Sequence, residues 1–98
     1  MSEEAAVKRL NRAKSAAISI LKSAYPEDEL KIIPSDNKYF CFLGVRKKEI
    51  RMIRIVVDEI TANDIKIIKD FAVPSGVCIK EIWCRGEGEK KFEMKEIE

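Results

Sequence analysis

The sequence predicts a single α+β domain spanning residues 1–98, in the order αβββαββ, with a mostly antiparallel mixed sheet flanked by two helices. The N-terminal stretch repeats apolar residues at helical spacing. The middle alternates short β-favouring runs with turn residues, and a second helical pattern stands between the third and fourth of these runs. The connections are of ordinary length, nothing repeats internally, and 98 residues can bury one core but not two.

The first helix runs to Ala24. Ser2 can cap it, Glu3 and Glu4 suit its positive end, and good helix formers follow. At about 100° per residue, Val7, Leu10, Ala13, Ala17, Ile20, Leu21 and Ala24 share one broad face. Lys8, Arg12, Ser15, Ser19 and Lys22 fall opposite, as a basic, hydroxyl-bearing stripe that is either a solvated helix back or a phosphate-facing surface. Tyr25-Pro26-Glu27-Asp28 ends the helix, because Pro26 disfavours helical backbone at the residue before it.

A short strand follows from Leu30 to Ile33, and Pro34-Ser35-Asp36-Asn37 reads as a turn. Lys38 to Arg46 contains Tyr39-Phe40-Cys41-Phe42-Leu43, apolar on both faces, as in a strand covered on both sides. Lys47-Lys48 punctuates, and Glu49 to Asp58 pairs back as a hairpin. Thr61 stands three residues before Asp64 in a capping-box variant, which opens a second helix over Ala62 to Ala72 with Ile65 and Ile68 on one face. Pro74-Ser75-Gly76 breaks it. Val77 to Cys84 is a strand, Gly86-Glu87-Gly88 a turn, and Lys91 to Ile97 a final hairpin partner. The fourth strand runs parallel to the third if the two are neighbours in the sheet.

With 46% apolar and 37% charged residues, the composition is that of a folding chain rather than a disordered one. No apolar run approaches the roughly 20 residues of a membrane span, and the N-terminal stretch lacks the apolar core of a signal peptide, so the expected compartment is the cytoplasm and no membrane partner is expected. Cys41, Cys78 and Cys84 form no CxxC pair and there is no histidine, which predicts reduced thiols packed on strands and no metal site. The missing histidine also removes Ser-His and Cys-His catalytic pairs, and no phosphate-binding glycine motif occurs, so no cofactor is expected. Glutamine is absent and Thr61 is the only threonine, while Lys, Glu and Ile abound, a bias that resembles thermophile proteins.

The net charge of +2 hides a gradient: residues 1–25 carry five basic and two acidic groups, residues 76–98 five and six. The densest basic group is Arg46, Lys47 and Lys48 at the hairpin turn, with Arg51 and Arg54 just inside the next strand. Beside Tyr39, Phe40 and Phe42, this group resembles basic-plus-aromatic surfaces that contact a nucleic-acid backbone or stack on bases. Trp83 alternates with Ile79 and Glu81; packing under the second helix is the plainer expectation for it, and exposure beside Phe92 or Met94 would make it a dimer anchor.

The order helix, three-stranded meander, helix, strand over residues 4–84 resembles the core of the restriction-endonuclease-like superfamily, which includes the PD-(D/E)XK nucleases and Holliday-junction resolvases. That resemblance implies a nuclease or nucleic-acid-processing relative, with an Asp on the second strand, Asp/Glu-x-Lys on the third, and Mg²⁺ between the carboxylates. Here the third strand, Arg51 to Asp58, has no acid two residues before a lysine, and Tyr39 to Arg46 has no carboxylate. Asp64-x-Lys66, Glu89-x-Lys91 and Glu93-x-Lys95 occur elsewhere, on a helix, at a turn and on the last strand.

The leading expectation is therefore a non-catalytic DNA- or RNA-binding domain, with Lys8, Arg12, Lys22, Arg46, Lys47, Lys48 and Arg51 contacting phosphates. The alternatives are a homodimeric or larger interaction module using an exposed sheet edge and Trp83, and a metal-dependent nuclease using Asp36, Asp58 or the Glu93 and Lys95 pair.

Overall fold

A computed structural model of the chain describes residues 3–26, 29–35, 39–74, 76–86 and 88–97. Ser2, Glu27, Asp28, Asp36, Asn37, Lys38, Ser75 and Glu87, which belong to the predicted cap, turns and second strand, lie outside the described residues. The elements are α1 (Glu3–Ala24), β1 (Lys31–Pro34), β2 (Phe42–Arg46), β3 (Glu49–Val57), α2 (Ala62–Asp70), β4 (Cys78–Arg85) and β5 (Glu93–Ile97). The predicted order αβββαββ is the observed one. The sheet follows chain order, β1-β2-β3-β4-β5, and only β3 and β4 pair in parallel, through the crossover that carries α2.

Alternation along β3 decides which helix covers which face. Ile53 and Ile55 point to one side, with Phe42 of β2 and Trp83 of β4, and are covered by Ala13, Ala17 and Leu21 of α1. Met52 and Val56 point to the other, with Ile82 and Ile97, and are covered by Ile68 of α2. Small residues at the centre of the α1 face let the helix axis approach the sheet closely, and the buried Ile, Phe and Trp side chains contribute about 1.5–3 kcal/mol each. The buried stripe of α1 is narrower than the predicted face, since Val7 and Ile20 are exposed. Gly44 serves a second close approach: a Cβ there would sit 3.3 Å from Leu30 Cδ1, so Leu30 packs down onto bare backbone.

The second strand begins at Phe42 rather than near Lys38. Tyr39, Phe40 and Cys41 form an irregular lead-in, fixed by hydrogen bonds from Cys41 N to Ile53 O at 2.9 Å and from Ser35 N to Cys41 O at 3.2 Å. This turns Phe40 under α2, with its ring edge-on to Phe71 at 5.2 Å. Trp83 is 1% exposed and packs under α1, not α2, with Phe92 tilted against it at 5.7 Å. Parallel register places Trp83 opposite Ile55, and Ile55 faces α1. Cys84 is buried, Cys41 and Cys78 half-buried, and all three thiols are free. Burial, with nearby acids such as Glu93, pushes the Cys84 thiol above its usual range.

Two cations from the sheet hold α2 at its ends. At the start, the Thr61 capping box forms as expected, with Asp64 N donating to Thr61 Oγ1 at 3.1 Å and Thr61 N donating to Asp64 Oδ2 at 3.0 Å. Arg54 of β3 donates from Nε and Nη2 to Asp64 Oδ1 at 3.2 and 3.0 Å, and from Nη1 to Tyr39 O at 3.1 Å. Burial alone would raise the Asp64 pKa, but the Thr61 hydrogen bonds and Arg54 outweigh it and hold the carboxyl below its usual range. At the end, buried Lys80 of β4 donates from Nζ to the carbonyls of Ile68, Lys69 and Phe71 at 2.8, 3.3 and 3.1 Å. Its three ammonium protons thereby close the end of α2, reaching the Lys69 and Phe71 carbonyls and giving Ile68 O a second donor beside Phe71 N.

Lys80→Met removes all three bonds at a site with little access to water. The variant should lose about 2 kcal/mol or more of unfolding free energy in urea titration. Lys66→Met on the exposed side of α2 should change it by less than about 0.5 kcal/mol; equal losses in the two variants would contradict a capping role for Lys80.

Candidate functional site

The basic residues of the hairpin divide into two kinds. Alternation puts Arg46 and Arg51 on the α1 face, where the helix ends at Tyr25 with Tyr25 N bonded to Leu21 O at 3.0 Å. Their guanidinium carbons lie 4.7 and 5.8 Å from the Tyr25 ring centroid. Glu49 Oε2 stands 3.6 Å from Arg46 Nη1 and accepts from Arg51 Nε at 3.2 Å, while Arg51 Nη1 lies 3.9 Å from Glu81 Oε1. Both arginines are therefore half-buried members of an internal cluster that ties the hairpin to the end of α1. Lys47 and Lys48, at the turn, are exposed and make no ion pair among the described residues.

Two adjoining clefts extend this end of the molecule. One, between β1 and the hairpin turn, is lined by Lys31, Arg46, Lys47 and Lys48 with Glu29 and Glu49. The other, between α1 and β1, is lined by Lys22, Tyr25, Lys31 and the apolar Ile18, Leu30, Ile32 and Pro34. Lys31 borders both. Lys22 and the hairpin turn thus flank the same edge strand at Lys31, whose register opposite Val45 puts it on the sheet face away from Arg46 and Arg51.

Lys8 lies toward the other end of α1, 14 residues or about 21 Å of helix from Lys22, and Arg12 lies near its middle. The predicted stripe is solvent-facing throughout, with Lys8, Arg12, Ser15, Ser19 and Lys22 all exposed. Lys8 pairs with Glu4 at 3.7 Å. Arg12 borders a small cleft with Arg9, Arg85 and Gly86 at the ends of β3 and β4. There Arg9 is held by Asp58 at 2.6 Å, and Arg85 lies over Phe92 at 5.1 Å.

The aromatic half of the expected hairpin surface is absent from it. Phe40 and Phe42 are buried, and Tyr39 is half-buried against Phe71 at 5.1 Å. Arg54, expected beside the basic group, lies instead under α2 with Asp64. Tyr25 and Lys31 were missed by sequence reasoning. Each sits alone in a turn or short strand, and only the packing of α1 against β1 and β2 joins them to the hairpin.

The described residues of the nuclease alternative do not assemble. Asp36 lies outside the described residues, Asp58 is engaged by Arg9, and Glu93 and Lys95 stand exposed on β5. Asp64 of Asp64-x-Lys66 is the α2 cap. Among the described residues, no group of three His, Cys, Asp or Glu side chains is placed to hold a metal ion. No family model, no curated protein and no solved structure matches the chain.

Glu81 is the electrostatic weak point of this end. Its Oε1 is buried without a hydrogen-bond partner among the described residues, as is Trp83 Nε1. Burial pushes its carboxyl pKa up; Arg51 and, least, the nearby Trp83 side chain oppose this, while Glu96 across the strand pair and Glu49 add to it. A raised folded-state pKa means that folding favours the protonated carboxyl. Ionised Glu81 therefore detracts from stability at neutral pH, and the penalty fades as pH falls through the raised folded-state pKa and is gone below the ordinary glutamate value of about 4.3. Glu81→Gln should accordingly unfold at higher urea concentration than the wild type at about pH 7, with the difference closing near about pH 4. A loss of stability at neutral pH would show that the Arg51 pairing outweighs burial.

Proposed function

We propose that the chain is a non-catalytic nucleic-acid-binding domain that grips phosphates of DNA or RNA at the hairpin end of the sheet. The observation that carries this reading is the group of exposed cations, Lys22, Lys31, Lys47 and Lys48, around two clefts that meet at Lys31. Arg46 and Arg51 act as the platform: stacked on Tyr25 and tied to Glu49, they fix the turn that presents Lys47 and Lys48. A fixed turn beneath exposed lysines suits phosphate contact without base readout. The exposed stripe on α1 extends the surface toward Lys8 and Arg12.

The element order α, β, β, β, α, β, shared with the restriction-endonuclease-like core, lends support to a nucleic-acid role. A non-catalytic one is favoured because β2 reads Phe-Leu-Gly-Val-Arg, without a carboxylate, and the arginines of β3 are spent on internal ion pairs.

Fluorescence anisotropy with labelled single- and double-stranded DNA and RNA, between about 50 and 200 mM salt, tests the reading. Four phosphate-neutralising lysines correspond to a slope of log K against log salt near −3.6 on duplex DNA, a loss of about 10²-fold across that range. Lys47→Ala with Lys48→Ala should bring the slope to about −1.8. Absence of salt-dependent binding at low salt, or an unchanged slope in the double variant, overturns the proposal.

A further inference from the structure

The strand β5 is a sheet edge whose outward side no described element covers. Glu93, Met94, Lys95 and Glu96 are all exposed, and Met94, at 52%, is the most exposed large apolar side chain of the described residues. Edge strands present unpaired backbone donors and acceptors, and isolated charges on them normally discourage pairing with other chains. Here the charges are arranged so that one pairing turns them into attractions.

We infer that β5 is a homodimer interface, in which two copies pair antiparallel through this strand about a two-fold axis at Met94. In that register Met94 meets Met94 of the second copy, Glu93 stands opposite Lys95, and Lys95 stands opposite Glu93. Phe92, which carries Arg85 over its ring at 5.1 Å, stands opposite Glu96. Within its own chain Glu96 is opposed by Glu81, a like charge. Pairing would give it a neighbouring guanidinium across the Phe92 ring. Centring the axis on Glu93, Lys95 or Glu96 instead places like charges face to face, so among axes on the exposed residues of β5 the charge order selects one register. The result is a continuous ten-stranded sheet with an isologous seam.

The other edge does not offer this. The strand β1 has four residues, ends in Pro34, which has no N–H to donate, and carries Lys31 without an acid on the strand to oppose it. Trp83, buried at 1%, takes no part at the surface; its role is to support Phe92 from behind.

Sedimentation equilibrium and velocity over about 1–500 μM protein, with circular dichroism to verify folding, test the inference. The wild type should show a monomer–dimer equilibrium. Glu93→Lys puts lysine opposite lysine at both ends of the seam and should weaken dimerisation by about tenfold or more, as should Lys95→Glu. The double variant Glu93→Lys with Lys95→Glu restores the complementary pairs and should return the dimerisation constant to within a few-fold of the wild type. A wild type that stays monomeric throughout, or single variants that dimerise as well as the wild type, overturns the interface. A folded double variant no better than the singles overturns the register.

Discussion

The helix α2 is nine residues long, too short to persist alone in water, and it depends on two cations that the parallel strands deliver to its ends. Arg54 of β3 reaches its first turn through Asp64, and Lys80 of β4 closes its last carbonyls. The crossover between parallel neighbours is therefore pinned to the strands it connects. The same Arg54 also holds the carbonyl of Tyr39, which fixes the irregular lead-in to β2 and sends Phe40 into the core. Because the Asp64 carboxyl titrates below its usual range, this pairing is at full strength above about pH 4 and is lost as pH falls further.

This use of charge governs what remains for a partner. Arg9, Arg46, Arg51, Arg54 and Lys80 are bound up with Asp58, Glu49, Glu81, Asp64 and backbone carbonyls. Four of these five are arginines, whereas the hairpin turn carries lysine. A lysine ammonium at the end of a flexible stem suits a surface that meets a phosphate chain rather than one defined carboxylate. The small net charge of the molecule thus understates the basic character of its hairpin end.

Local chemistry made much of the fold legible. The Thr61-x-x-Asp64 box, the helical spacing of α1 and the Lys47-Lys48 turn each dictate an element from a few adjacent residues, and each forms. What stayed hidden depends on pairing between distant segments. The face on which Trp83 lies follows from its parallel register with Ile55, which no local pattern encodes. The division of the hairpin cations follows from Tyr25 arriving at the end of a 22-residue helix. Tyr39, Phe40 and Phe42 looked like the aromatics of one continuous strand beside the basic turn, and the strand begins only at Phe42, after an irregular lead-in. Lys31 gains meaning only as the residue shared by two clefts.

We propose that exposed lysines at the hairpin end meet the nucleic acid while the buried and half-buried cations hold the fold. Amide chemical-shift mapping by NMR during titration with a short duplex at low salt tests it most directly. The expected perturbations centre on Lys22, Lys31, Lys47 and Lys48, with the amides of Arg54, Asp64 and Lys80 unmoved. Perturbations centred on α2, or none at saturating duplex, would contradict it.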